Sequence, residues 1–161
     1  ARLRHAALAA VPDLAAAVGI HQLKKAHAFQ KSREASVEYY REKLKGLPLT
    51  LQPQALGSDL HAWHLCVATL DTEKLSIDRN RFIELMTEAG VGTSVHYVPL
   101  HFQPYWRDRY ALRPDQFPVS TAAYERILSL PLYPDMTEAT LERVVTVIKD
   151  ICQANALRMV G

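Results

Sequence analysis

The sequence predicts an α+β fold: a small, mostly antiparallel three-stranded sheet covered by helices. Three observations carry this reading. One is a helix-forming segment running from Asp13 to Lys45, and another is a set of short β-branched and aromatic runs bounded by proline or glycine. The third is a pair of amphipathic helices, one between the strands and one after them. With 161 residues, 48% apolar and 22% charged, the chain has the composition of a globular domain. A chain of about this length buries roughly 70% of its unfolded surface, enough for an ordinary core.

In order, residues 1–11 read as an irregular N-terminal arm, 12–155 as the domain and 156–161 as a frayed tail. Pro12 suits the first turn of a helix, where its missing N–H removes no bond. The helical segment 13–45 carries an apolar stripe of Leu14, Val18, Leu23, Ala26 and Phe29, continued by Val37, Tyr40 and Leu44. A helix this long is expected to bend or break, with Gly19 or the region 27–31 as the place. Gly46 suits a left-handed stop, and Pro48 prevents the helix from resuming.

Residues 49–54 (LTLQPQ) read as a strand ended by Pro53, 55–59 (ALGSD) as a turn, and 61–70 (HAWHLCVATL) as a second strand. Asp78 opens a capped helix that turns Phe82, Leu85, Met86 and Ala89 inward and stops at Gly90. The run 91–98 (VGTSVHYV) reads as the third strand and 118–131 as a helix between prolines. Residues 137–153 form the clearest helix, with Leu141, Val144, Val145, Ile148, Ile151 and Cys152 on one stripe.

A net charge of +2 is too small for a nucleic-acid binder. The first fifty residues are basic, nine Lys/Arg against four Asp/Glu, which reads as a solvated helix face or a surface that meets phosphate. Cys66 and Cys152 fit neither a disulfide framework nor a CxxC site. No apolar run is long enough to span a bilayer and no secretory leader is recognisable, so a cytoplasmic location and no membrane partner are expected.

The segment GTSVHYVPLHFQPYW, residues 92–106, concentrates the polar rings. On a strand Ser94, His96 and Val98 would face one way and Thr93, Val95 and Tyr97 the other. Pro99 ends the ladder, so His101, Gln103, Tyr105 and Trp106 follow in a loop, where binding groups are commonly placed. Imidazole, phenol and amide both donate and accept hydrogen bonds and suit a polyhydroxylated or phosphorylated ligand, and their ring faces suit a flat base or sugar ring. The same rings would equally serve to fill a corner of the core.

Other chemistries find less support. His61 and His64 fall on opposite faces of a strand, and His96 and His101 have no neighbouring carboxylate or thiolate, so no metal site is expected. There is no GxSxG elbow, and Cys66 lies in an apolar strand. Gly90 and Gly92 link a helix to a strand, the reverse of a dinucleotide fingerprint. Glu34, Glu38 and Glu42, interleaved with Lys31, Arg41 and Lys45, make a solvated, salt-bridged helix face.

The order of segments resembles the C-terminal part of the DegT–StrS group of nucleotide-sugar aminotransferases. PDLAAAVGIHQLKK, YYREKL, HAWHLCVATL, RFIELMTEAGVGTSVHYVPLHFQPYW and FPVSTAAYERILSLPLYPDMT carry the resemblance, and GVGTSVHYVPLH together with ILSLPLYPDMT is its most specific part. It implies the small domain of the aspartate-aminotransferase fold. It also implies a pyridoxal-phosphate enzyme that moves an amino group from glutamate to a keto-sugar nucleotide and is a homodimer when complete. The positions that would surround the sugar nucleotide are His96, Tyr97 and His101, with Gln103, Tyr105 and Trp106 as weaker candidates.

The resemblance places the Schiff-base lysine in a large N-terminal domain. None of Lys24, Lys25, Lys31, Lys43, Lys45, Lys74 and Lys149 lies in its context, so no catalytic residue and no cofactor contact is expected in this chain. Ala10 stands where the family tends to carry an asparagine that reaches the partner's cofactor. The expectation is a domain inactive by itself. The alternative is a stand-alone, non-catalytic binding or interaction module derived from it.

Overall fold

The computed structural model describes residues 13–54 and 59–157. The expected N-terminal arm, Pro12, Ala10 and the heart of the turn at 55–58 lie outside the described residues. Helix α1 spans Asp13–Lys43, β1 Leu49–Leu51, β2 Cys66–Leu70, α2 Arg79–Glu88, α3 Pro104–Tyr110, α4 Pro118–Arg126, β3 Ile127–Leu130 and α5 Glu138–Ala154. The sheet is antiparallel throughout, in the order β1-β2-β3, with Leu49 opposite Leu70 and Cys66 opposite Leu130.

Alternation along β2 buries Cys66, Ala68 and Leu70 and leaves Val67 and Thr69 half-buried. Val37, Tyr40 and Leu44 at the C-terminal end of α1, Phe82 and Met86 of α2, and the α5 stripe from Leu141 to Cys152 complete one core with Leu128 and Leu130. Each fully buried aliphatic side chain in it contributes about 1.5–3 kcal/mol against an extended-chain reference. Asp78 caps α2 by accepting from the Arg81 N–H at 2.8 Å, and Thr137 caps α5 by accepting from the Thr140 N–H at 3.2 Å. Gly46 and Gly90 hold the positive φ of +85° and +74° that end α1 and α2. Ala156 bridges to Leu75, and the Leu157 N–H donates to Lys74 O at 3.0 Å, so the first two residues after Asn155 are pinned.

Four expectations need correction. The third strand is Ile127–Leu130, not 91–98, where only Ser94 makes an isolated bridge, to Ser129. ILSL is an unbroken run that buries Leu128, Ser129 and Leu130. Residues 92–98 alternate polar groups and end on Pro99, which cannot donate to a ladder. The helix read as 118–131 therefore stops at Arg126, and Ile127 turns extended at φ −86°, ψ 144°. The second strand starts only at Cys66 because Trp63 sits at φ 46°, its N–H donating to His61 Nδ1 at 2.9 Å and its ring stacked on His61 at 3.9 Å.

Lastly, α1 is unbroken through Gly19 and 27–31, since one glycine among strong helix formers costs only about 1 kcal/mol. Its N-terminal stripe does not reach the core of this chain: Leu14 is 78% and Leu23 74% exposed, and burial begins at Gln30. No helix among the described residues is long and apolar enough to cross a membrane.

Candidate functional site

The polar-ring segment is organised by a chain reversal at the end of α2. After Gly90, the Val91 N–H donates to Met86 O at 2.8 Å and turns the chain back towards the sheet. There Ser94 and Ser129 exchange both backbone bonds, Ser94 N–H to Ser129 O at 3.2 Å and Ser129 N–H to Ser94 O at 2.9 Å. Ser94 thus occupies the edge of β3 left open by β2 as a one-residue strand, and the chain departs again at once.

His96, two residues on, is half-buried, and its Nε2 lies 3.1 Å from Ser129 Oγ. Tyr97 is 99% exposed and makes no hydrogen bond among the described residues. His101 lies in the turn Leu100–Phe102 and is only 5% exposed. Its ring stacks on Phe117 with centroids 4.9 Å apart and tilts against Phe102 at 4.4 Å, while Nε2 meets Thr121 Oγ1 at 3.0 Å. This histidine therefore ties the loop to α4. Gln103 Nε2 donates to Val98 O at 3.4 Å and closes the turn. Tyr105 and Trp106 project from α3, edge to face with centroids 5.2 Å apart, and Trp106 stacks over Tyr110 at 5.9 Å.

Two grooves flank the segment. One, about 460 Å³, is lined by Pro99, Leu100, His101, Trp106, Phe117 and Ser120. The other, about 310 Å³, is lined by His64, Leu65, Thr93, Ser94 and Ser129 among others. Neither has a carboxylate, guanidinium or ammonium group in its lining, so each offers only shape and neutral hydrogen bonds. Thr93 Oγ1 is buried with no partner among the described residues. Charge lies further out: the Arg107 guanidinium holds the Asp108 carboxyl below the usual carboxylate range, and Arg113 does the same to Asp115. Arg109 has no carboxylate partner among the described residues and lies 5.7 Å from the Tyr110 ring centre.

Of the expected residues, His101 and Trp106 line one groove together, Tyr105 packs on Trp106, His96 contacts Ser129 at the β3 edge, and Tyr97 stands in solvent. Ser129 and Thr121, which hold the two histidines, and His64, beside the second groove, were missed by sequence reasoning. Ser129 was hidden because its run was read as helix, and Thr121 because its partner is twenty residues away. No lysine among the described residues is buried; Lys74 is exposed and paired with Asp71 at 2.7 Å. No enclosed amine is available as a nucleophile among the described residues, and burial favours the protonated form of both thiols, Cys66 pushed up to about 12 and Cys152 to about 11. No group of three or more potential metal ligands occurs among the described residues.

Residues 9–149 match the profile of the DegT/DnrJ/EryC1/StrS aminotransferase family. The uncharacterized protein MJ1066 of Methanocaldococcus jannaschii is 38% identical over 89% of this chain and 37% of its own length. The spore coat polysaccharide biosynthesis protein SpsC of Bacillus subtilis is 37% identical over 86% of this chain and 36% of its own length. Among solved structures, DesV of S. venezuelae, crystallised with a ketimine intermediate, superposes with a TM-score of 0.78 at 24% identity, covering 89% of this chain and 37% of DesV. This chain thus spans little more than a third of the length of these proteins. The profile match covers the sheet, the polar-ring segment and the first twelve of the seventeen residues of α5, and the chain belongs to the DegT/DnrJ/EryC1/StrS family of aminotransferases.

Proposed function

We propose that this chain forms the small-domain wall of a sugar-nucleotide site in a pyridoxal-phosphate-dependent aminotransferase that transfers an amino group from glutamate to a keto-sugar nucleotide. One observation carries the reading. A member of this family hangs residues 95–106 off its sheet by a single backbone bridge at Ser94, with a 99%-exposed Tyr97 and two uncharged grooves, one lined by aromatic rings and one by hydroxyls.

In this reading 12–155 is one domain unit, and His96 and Tyr97 hydrogen-bond the sugar or its phosphates. His101 forms a wall of the larger groove, and Gln103, Tyr105 and Trp106 shape its rim. The described lysines, none of them buried, do not fit a Schiff-base role, so the cofactor belongs with the remainder of a longer, homodimeric cytoplasmic protein, and this chain alone is inactive. Neither nucleic acid nor membrane is a partner.

The test is His96→Ala in the complete enzyme. Loss of one hydrogen bond to a charged or carbonyl oxygen, about 1.5–3 kcal/mol, raises KM for the sugar nucleotide roughly 10- to 100-fold and leaves kcat nearly unchanged. An unchanged KM would remove His96 from the site. Titration of a nucleoside-diphosphate sugar into the isolated chain separates this reading from a self-sufficient binding module, which alone would bind tightly.

A further inference from the structure

We infer that Ser129 is a positioning residue that fixes His96 as the Nδ1–H tautomer, leaving a single N–H donor for an oxygen acceptor of the ligand. Ser129 is 4% exposed, and both its backbone groups are committed to Ser94. Its hydroxyl has one partner among the described residues, His96 Nε2 at 3.1 Å.

A hydroxyl both donates and accepts, whereas a neutral imidazole nitrogen does one or the other. If His96 Nε2 carried the proton and donated to Ser129 Oγ, the serine hydrogen of this 4%-exposed residue would have no protein acceptor among the described residues and would depend on water in the groove, the costlier arrangement. If Ser129 donates to a lone pair on Nε2, both atoms of the buried contact are satisfied and the imidazole proton must sit on Nδ1. His96 Nδ1 has no protein partner among the described residues and is not sealed from solvent. It is therefore free to donate outward.

This reverses the ordinary preference, because a neutral histidine in water favours the Nε2–H form. It also sets what His96 accepts as a partner. A carbonyl or phosphate oxygen satisfies the outward N–H, and an ammonium group opposes it. A keto substrate and its amino product differ in that respect at the reacting carbon. That His96 meets the substrate at all rests on the reading under Proposed function; the tautomer itself does not.

Ser129 reaches His96 through the fold. The Ser94–Ser129 bridge sets the register, and the two-residue step from Ser94 brings His96 back over the same strand edge. The small hydroxyl side chain at position 129 fits the buried edge and reaches the ring.

The experiment is long-range 1H–15N NMR on the histidine-labelled chain in mildly alkaline buffer, which distinguishes the protonated from the unprotonated ring nitrogen. His96 is expected to show a protonated Nδ1 and an unprotonated Nε2. Ser129→Ala should swing it to the Nε2–H form as the major species, and Ser129→Thr should restore the wild-type pattern. A wild-type His96 with the proton on Nε2 overturns the inference without need of any variant, and so does an Nδ1–H pattern that persists in Ser129→Ala. A complete enzyme in which His96→Ala leaves KM unchanged would sink the substrate reading and leave the tautomer result standing.

Discussion

Replacing His101 by alanine tests whether the polar-ring segment is held by this histidine. The side chain is 5% exposed, stacks on Phe117 and Phe102 at 4.9 and 4.4 Å, and shares a 3.0 Å hydrogen bond with Thr121. The hydrogen bond contributes about 1 kcal/mol, and each ring contact about 0.5–1.5 kcal/mol beyond area burial. Thr121 keeps its donation to Pro114 O at 3.2 Å, so no orphaned hydroxyl is added. The sum is about 2–4 kcal/mol. With a urea m-value of about 2 kcal/mol/M, the unfolding midpoint of His101→Ala falls by about 1–2 M. His101→Phe keeps the stacking, loses the hydrogen bond and recovers most of that shift. Hydrogen exchange at the Phe102 and Gln103 amides, which donate to Pro99 O and Leu100 O, reports the loop itself. A midpoint within about 0.2 M of wild type, with protection at those amides retained, would refute the structural role, since about 0.5 kcal/mol is what an uninvolved surface residue shows.

Tyr97→Ala, at a position 99% exposed, should change stability by less than about 0.5 kcal/mol in the same urea titration while weakening sugar-nucleotide binding in the complete enzyme. Tyr40→Phe removes the donor to Pro131 O at 3.0 Å and should cost about 1 kcal/mol, read from the urea midpoint. Gly90→Ala forces an alanine to φ +74° with its Cβ 3.0 Å from Arg143 Nη2; a cost of about 1–2 kcal/mol lowers Tm by about 3–6 °C in calorimetry. Burial pushes the Cys66 thiol from 9.0 up to about 12. Because the folded state holds this proton more tightly, the contribution is complete below pH 9.0 and is lost as pH rises towards about 12, which alkaline denaturation of Cys66→Ser against wild type should display.

Most of the fold was legible because its helices announce themselves. Asp78 and Thr137 cap where capping residues are expected, Gly46 and Gly90 stop the helices before them, and the α5 stripe is the buried one. The long α1 was legible in extent but not in partnership. Leu14, Val18 and Leu23 have helical spacing, yet all three are more than half exposed, since periodicity says that a face is apolar and not what covers it. The positive φ of Trp63 had no sequence signal at all, because a bulky residue is the last expected there.

The misread strand and the candidate site have one physical cause. Residues 92–98 alternate well enough to be a strand, and ILSL looks like the tail of a helix. Sheet position is decided by which run tolerates burial, and Ile127–Leu130 does, with Leu128, Ser129 and Leu130 all inside. The losing segment then joins the backbone ladder only at Ser94, so most of its later side chains are not spent on ladder or core. Had 93–98 been β3, His96 would have been one side chain in a packed layer and Tyr97 its opposite on the other face. Because it is not, His96 rests on one buried hydroxyl, Tyr97 stands fully in solvent, and only His101 is drawn inward, by two rings and a threonine. Ser129 spends both backbone groups on the one-residue bridge to Ser94 and keeps its hydroxyl for His96. That leaves the serine hydroxyl a single task, which the tautomer of His96 makes measurable.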